Sequence, residues 1–176
     1  MSVDEFWTIV AKARQSAGDS SDAEEVAERT LALLSALPPE QIAALARPLW
    51  DLRARSYRWE LWQAAYLING GCSDDGFEYF RGWLLAQGRE TFELAVADPD
   101  TLAELLAVQR VAADGEDLEC ESMYGVVWDA YEAATGSIEL PCPVTGRYPE
   151  LGPGWDFEDA DEVRRRLPRL AALFAD

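Results

Sequence analysis

Apolar residues recur at helical spacing along most of the chain, and the residues between these runs mark where helices begin and end. Ser2, followed by Glu5 at the third helical position, forms a capping box that predicts a first helix ending at Gly18. The same signal starting at Ser21 predicts a second helix, and the third is expected to open at Pro39. The N-terminal part of the chain is therefore predicted to be helical.

The centre of the chain carries two different apolar patterns. The run over residues 42–52 contains Pro48, which is expected to kink or split its helix because proline costs about 3 kcal/mol in a helix interior. The next run, Trp59–Ile68, is apolar almost all round, which predicts a helix buried in the centre of the fold. Asn69 and the glycines that follow it end this helix, because these residues adopt positive φ easily.

Capping residues continue the helical pattern through the second half of the chain. Ser73 is a strong N-cap, and Gly88 and Gly136 are typical of helix ends. Further helices are predicted over residues 74–87, 89–97, 100–108, 122–135 and 159–174. Residues 110–119 and the Pro/Gly-rich residues 137–155 are predicted to be loops, with at most a short edge strand at 138–140.

These elements predict an all-α fold of about eight helices around one core, a single domain over residues 1–176, with the Pro/Gly-rich loop laid across it before the last helix. The chain is 49% hydrophobic and 27% charged, which is typical of a globular protein. It contains no apolar run long enough to span a membrane, and its acidic N-terminus does not resemble a secretion signal. We therefore expect a cytoplasmic protein whose cysteines are free thiols.

Charge and the missing histidine restrict the function. The net charge of −18 would repel a phosphate backbone, so direct nucleic-acid binding is not expected. The acidic surface is either a solvated face or a docking surface for a basic partner. Because the chain has no histidine, Ser-His-Asp catalysis, Cys-His catalysis and histidine-ligated zinc are excluded.

The tract from Tyr57 to Arg89 is the richest in aromatic and charged residues. Helical geometry places Asp74, Glu78 and Arg81 in one stripe beside the expected core face of their helix. One interpretation is a polar pocket, in which the carboxylates act as acid/base groups or cation ligands and the guanidinium holds an anion. The alternative is structural: capping acids at the helix start and an ion pair that fixes helix packing.

Cys72 precedes a helix N-terminus, a position that suits a nucleophile or a redox sensor. Neighbouring carboxylates oppose thiolate formation, however, and an inert buried thiol is the alternative interpretation. No cofactor is predicted, and no metal site, because a zinc site would need all three cysteines to gather with Asp74. The candidate binding residues are Tyr57, Trp59, Trp62, Tyr66, Asn69, Cys72, Asp74, Asp75, Glu78 and Arg81.

The sequence over residues 57–77 resembles the core of the bacterial domain-of-unknown-function family 4240, and the likeness continues through residues 80–84, 87–89 and 97–100. The N-terminal helix with Phe6 and the closing residues 155–174 also resemble it. The resemblance implies a stand-alone protein, in a family sometimes fused to domains linked with regulation. It implies no established activity, cofactor or catalytic residue.

Three functions are consistent with this sequence. The first is a non-catalytic binding or regulatory module for a small molecule or a protein partner. The second is a small histidine-independent enzyme that uses Asp74, Glu78 and Glu121 as acid/base groups, with or without Cys72. The third is a structural role in a larger assembly. If Asp74, Glu78 and Arg81 line an open pocket with Trp62 or Tyr66, ligand binding or catalysis is favoured. If they are closed into ion pairs with the loop 137–155, a structural role is favoured.

Overall fold

Helices account for the architecture in this computed structural model, which describes residues 1–141 and 146–175. Over those residues the chain forms eleven α-helices, one 3-10 helix and no β-strand, so the predicted all-α class is confirmed. The α-helices are α1 (Val3–Ser16), α2 (Ala23–Ser35), α3 (Pro39–Ala43), α4 (Ala46–Arg55), α5 (Trp59–Ile68), α6 (Asp74–Ala86), α7 (Arg89–Ala97), α8 (Leu106–Asp114), α9 (Glu121–Thr135), α10 (Ala160–Arg166) and α11 (Pro168–Leu173). The 3-10 helix, η1, spans Pro99–Glu104.

Local side-chain hydrogen bonds set several helix starts. The predicted capping box of Ser2 and Glu5 is present, and the Ser73 hydroxyl accepts a hydrogen bond from the Gly76 N–H at 3.0 Å. The second helix departs from the prediction. Its N-cap is Asp22, whose carboxylate accepts from two backbone N–H groups, while the Ser21 hydroxyl donates to Asp19 in the preceding turn. A carboxylate one residue later therefore replaces the predicted serine cap.

Prolines explain why the helices are more numerous and shorter than predicted. The predicted third helix is divided into α3 and α4 just before Pro48. Pro48 lies in the first turn of α4, where no backbone N–H is needed for an intrahelical bond. The predicted last helix is two helices, because Pro168 begins α11. Pro99 begins η1 rather than an α-helix, and α8 runs into part of the predicted loop 110–119 and ends at Gly115 with a φ of 75°.

In the core, α9 packs against both α2 and α6. Phe77, Phe80 and Trp83 are buried as the helical pattern predicts. Gly82 of α6 lies very close to Cys120, the residue that precedes α9. A Cβ at Gly82 would sit 2.0 Å from the Cys120 carbonyl oxygen. The Cys120 N–H also donates to the Tyr79 carbonyl at 3.0 Å. A small residue on α6 thus allows the two backbones to approach within direct contact.

The predicted burial of α5 holds for only one of its faces. Leu61, Ala64 and Ile68 are buried, whereas Trp59 and Tyr66 are half-buried. Trp59 is covered by residues 146–155, which have no helix or strand and are named the strap here, whereas Tyr66 packs against Phe157. The predicted strand at 138–140 is not formed. Cys142 and the rest of residues 142–145 lie outside the described part.

None of the helices within the described residues is long and apolar enough to cross a bilayer.

Candidate functional site

The guanidinium of Arg81 is buried in the interior, with only 1% of its side chain exposed. Its Nε donates to the Phe77 carbonyl at 3.2 Å, Nη1 to the Arg53 carbonyl at 2.8 Å, and Nη2 to the Tyr124 hydroxyl at 3.2 Å. The nearest carboxylate oxygen with an ion-pair contact belongs to Glu78, at 4.0 Å. Hydrogen bonds that the guanidinium donates to carbonyl and hydroxyl oxygens, more than an ion pair, therefore compensate for burial of this charge.

Four aromatic rings surround the same guanidinium and are named the aromatic cage here. Their centroids lie 4.7 to 5.4 Å from the Arg81 Cζ atom, within the range of cation–π attraction. The rings belong to Tyr57, Phe77, Tyr124 and Tyr148. The structure thus places Arg81 where it contacts protein on every side, and not at the mouth of an open pocket.

Tyr148 of the strap completes the cage. Its ring stacks on Tyr57 at 4.5 Å and on Trp50 at 4.8 Å, and its hydroxyl lies 2.5 Å from the Tyr124 hydroxyl. Burial raises the pKa of Tyr124, so this phenol is neutral near pH 7. The strap therefore covers the Arg81 end of the stripe with an aromatic ring, and not with the ion pairs that the structural alternative expected.

The two tryptophans of the tract hold the strap and the turn before α6. Trp62 stacks on Phe77 at 4.8 Å and donates from Nε1 to the Cys72 carbonyl at 3.0 Å. Trp59 stacks on Trp62 at 5.5 Å and donates to the Gly152 carbonyl at 3.2 Å. Both indole N–H groups are thus used inside the protein, and the rings form a continuous aromatic layer beneath the strap.

Asn69 and Cys72 belong to the turn between α5 and α6. The Asn69 amide brackets Leu118, accepting from its N–H at 3.0 Å and donating to its carbonyl at 3.4 Å. Burial, with a smaller contribution from Glu119, raises the pKa of Cys72 to about 12. The thiol is therefore protonated at neutral pH, which removes the thiolate that nucleophilic or redox chemistry requires.

The acidic residues of α6 lie in different surroundings. Asp74 and Asp75 are exposed in the first turn of α6. Glu78 lines a groove of about 380 Å³ together with Glu121, so these two predicted acid/base residues do come together, without Asp74 among the lining residues. In the same groove, burial raises the pKa of Asp129. Within the described residues, no three cysteine or acidic side chains are placed to hold a metal ion.

Tyr66 faces a separate cavity of about 420 Å³ between α5, α10 and α11, named the C-terminal cleft here. Its apolar lining consists of Leu67, Gly70, Phe157, Ala160, Val163, Ala171, Phe174 and Ala175. Its polar lining consists of Tyr66, Glu158 and Arg164. The Tyr66 hydroxyl donates to Glu158 at 2.9 Å, and this hydrogen bond raises the pKa of Tyr66. The phenol is neutral, and the pair presents one fixed polar edge to an otherwise apolar space.

Sequence reasoning found one wall of this cleft and missed the other. Tyr66 was singled out, whereas Phe157, Val163 and Arg164 were not. These residues belong to no motif, and the available signal was weak: an apolar stripe on the last predicted helix. What brings them to α5 is the packing of α11, which is a tertiary contact.

Comparisons with known proteins identify a family and no further relative. A family model described as protein of unknown function (DUF4240) matches residues 1–133, which include α1 to α8 and most of α9. The match ends before residues 155–174, which the sequence resemblance had included. No curated protein and no solved structure matches the chain.

Proposed function

We propose that this chain, which belongs to the family of proteins of unknown function DUF4240, is a non-catalytic binding module whose C-terminal cleft holds a small amphipathic molecule. Membership of that family brings no activity with it, so the proposal is drawn from the geometry. The observation that carries the proposal is the composition of the cleft wall. Apolar side chains surround a space of about 420 Å³, and a few polar groups stand at one edge. This combination is typical of small-molecule sites.

The apolar wall would supply most of the affinity. Gly70, Ala160 and Ala171 leave the space open because their side chains are small, while Phe157 and Phe174 offer flat surfaces. Removing apolar surface from water contributes about 25 cal/mol per Å². A ligand body that covers these walls therefore gains several kcal/mol before the entropy cost of binding is subtracted.

The polar edge would orient the ligand. Glu158 already accepts a hydrogen bond from Tyr66. The Arg164 guanidinium has a loose contact with Asp161, at 3.6 Å, and both side chains are exposed. Arg164 is thus the group best able to turn toward an anionic head at the mouth of the cleft.

The enzyme alternative has less support from the geometry. Cys72 is a protonated thiol, and Asp74 stands in solvent away from the groove that Glu78 and Glu121 share. In that groove Asp129 has a raised pKa, but burial alone is a frequent cause of such a shift. A binding role requires none of these groups.

Titration with 8-anilinonaphthalene-1-sulfonate tests the proposal, because this probe joins an apolar body to an anionic head. We expect saturable fluorescence enhancement at one site. Ala171→Leu fills the cleft and should weaken binding about tenfold or more, which corresponds to about 1.4 kcal/mol. The matched control is Ala172→Leu, since Ala172 is exposed on the same helix and does not line the cleft. Equal binding by both variants would exclude the cleft as the site.

A further inference from the structure

The strap contacts the helices mainly through aromatic rings. Tyr148 inserts between Trp50 and Tyr57, with its hydroxyl against Tyr124. At the other end, Trp155 packs edge-on against Trp59 at 6.4 Å, beneath the Arg166 guanidinium. The surface that receives Tyr148 is named the phenol slot here, and it consists of Trp50, Tyr57, Arg81 and Tyr124.

The strap backbone takes almost no part in this attachment. No backbone–backbone hydrogen bond joins residues 146–155 to the helices within the described structure. The polar contact of its backbone is the Gly152 carbonyl, which accepts from Trp59. Pro149 and Pro153 have no N–H to donate. Many protein domains likewise bind a proline-containing peptide segment that lies on aromatic rings.

Glycines let the strap lie flat on these rings. A Cβ at Gly146 would stand 2.1 Å from the Trp50 Nε1 atom, and one at Gly154 would stand 3.0 Å from the Trp59 ring. The surface therefore selects a particular kind of segment: a tyrosine side chain for the slot, flanked by residues without side chains where the backbone crosses the two indoles.

The slot and the strap also differ in how the family match covers them. The match over residues 1–133 includes every residue of the phenol slot and ends before the strap. The surface that receives tyrosine is thus part of the matched domain, and the segment that fills it follows that domain.

We propose that the phenol slot is a peptide-docking surface, occupied in this chain by its own strap. The partner is a protein with a Gly/Pro-rich segment that carries a tyrosine, and it binds by placing that tyrosine where Tyr148 now lies. The tethered Tyr148 competes at an effective concentration in the millimolar range, so the strap keeps the surface closed until a partner displaces it. This inference does not depend on the C-terminal cleft.

A labelled peptide with the sequence of residues 146–156 tests the proposal by fluorescence anisotropy. Tyr148→Ala empties the slot, and we expect the peptide to bind this variant about tenfold or more tighter than wild type, because the tethered competitor is gone. A control peptide with alanine in place of its tyrosine should not bind. Failure of the tyrosine peptide to bind the emptied slot, or equal binding of the control peptide, would overturn the proposal.

A second variant keeps the test valid if Tyr148→Ala does not fold. Gly146→Val lifts the strap from Trp50 and leaves the slot residues unchanged, so it should also gain peptide binding. Adding Trp50→Ala to either variant should abolish that gain. If both released variants are folded by circular dichroism and neither binds the peptide, the strap is only structural. If wild type instead dimerises with concentration through strap exchange, the assignment to a partner protein is wrong.

Discussion

The buried guanidinium of Arg81 gives the most quantitative test of the structure. We expect the neutral substitution Arg81→Met to lower the free energy of unfolding less than the charge-conserving substitution Arg81→Lys. Arg81→Met removes three hydrogen bonds from a charged donor, worth about 6 kcal/mol in gross terms. It also removes the cost of burying a charge, which is several kcal/mol. The two effects nearly cancel, and we expect the free energy of unfolding to fall by about 1–2 kcal/mol.

Arg81→Lys should be worse than Arg81→Met, although it conserves the charge. The ammonium is more strongly hydrated than a guanidinium, and it cannot reach all three acceptors in the geometry of the planar fork. The desolvation cost therefore stays while part of the hydrogen bonding is lost, and we expect a loss of about 3 kcal/mol. Equilibrium unfolding in urea, followed by helical circular dichroism, measures these differences.

Arg47 provides the matched control for both substitutions. Its side chain is 73% exposed and pairs with Asp51 on the same helix. Replacing it by lysine or methionine should change the free energy of unfolding by no more than about 0.5 kcal/mol. A lysine at position 81 that is as stable as wild type would refute the account of the aromatic cage. A methionine there that costs more than about 4 kcal/mol would show that the charge stabilises the fold.

Gly82, Cys72 and Asp100 give four further predictions. Gly82→Ala places a Cβ against the Cys120 backbone and should cost about 3 kcal/mol or more, whereas Gly125→Ala meets the movable Asp129 carboxylate and should be neutral or stabilising in urea unfolding. Because the pKa of the Cys72 thiol is raised to about 12 from its ordinary value of 9.0, alkylation by iodoacetamide at pH 8 should be far slower in the folded protein than in urea. By linkage, the same shift makes the free energy of unfolding of wild type fall as the pH rises from 9 to 12, relative to its value below pH 9. Cys72→Ala should lack this fall. A difference in free energy of unfolding between the two proteins that stays constant over this pH range would contradict the prediction. Asp100 is buried and accepts from the Arg169 and Leu170 N–H groups, so Asp100→Asn should lower the free energy of unfolding by about 3 kcal/mol, while an unchanged urea midpoint would show that these bonds carry little weight.

The sequence predicts those parts of the fold that depend on short-range chemistry. The N-cap at Ser73, the helix end at Gly136 and the bounds of Trp59–Ile68 are all confirmed, because each follows from residues within one turn. Competition between neighbours is harder to predict. Asp22 replaces Ser21 as a cap because both are good caps one residue apart, and only the folded turn decides between them.

The environment of the candidate site could not be predicted in the same way. Helical geometry predicted Arg81 at the edge of the core face of α6, whereas the folded chain buries this side chain, and the pattern could not show what covers it. The cover is Tyr148, from a segment distant in sequence, and its position depends on stacking against Trp50 and Tyr57. Likewise Tyr66 was identified as a candidate, but its partner Glu158 belongs to a region without a motif.

Native mass spectrometry of protein purified from its own host can show whether the C-terminal cleft holds a ligand. We expect wild type and Ala172→Leu to retain a non-covalent adduct on the order of a few hundred daltons. The adduct should be absent from Ala171→Leu, because leucine fills the space beside Phe174. An adduct retained equally by Ala171→Leu, or wild-type protein that carries none and gains none when incubated with small-molecule extract of the host, would contradict the account.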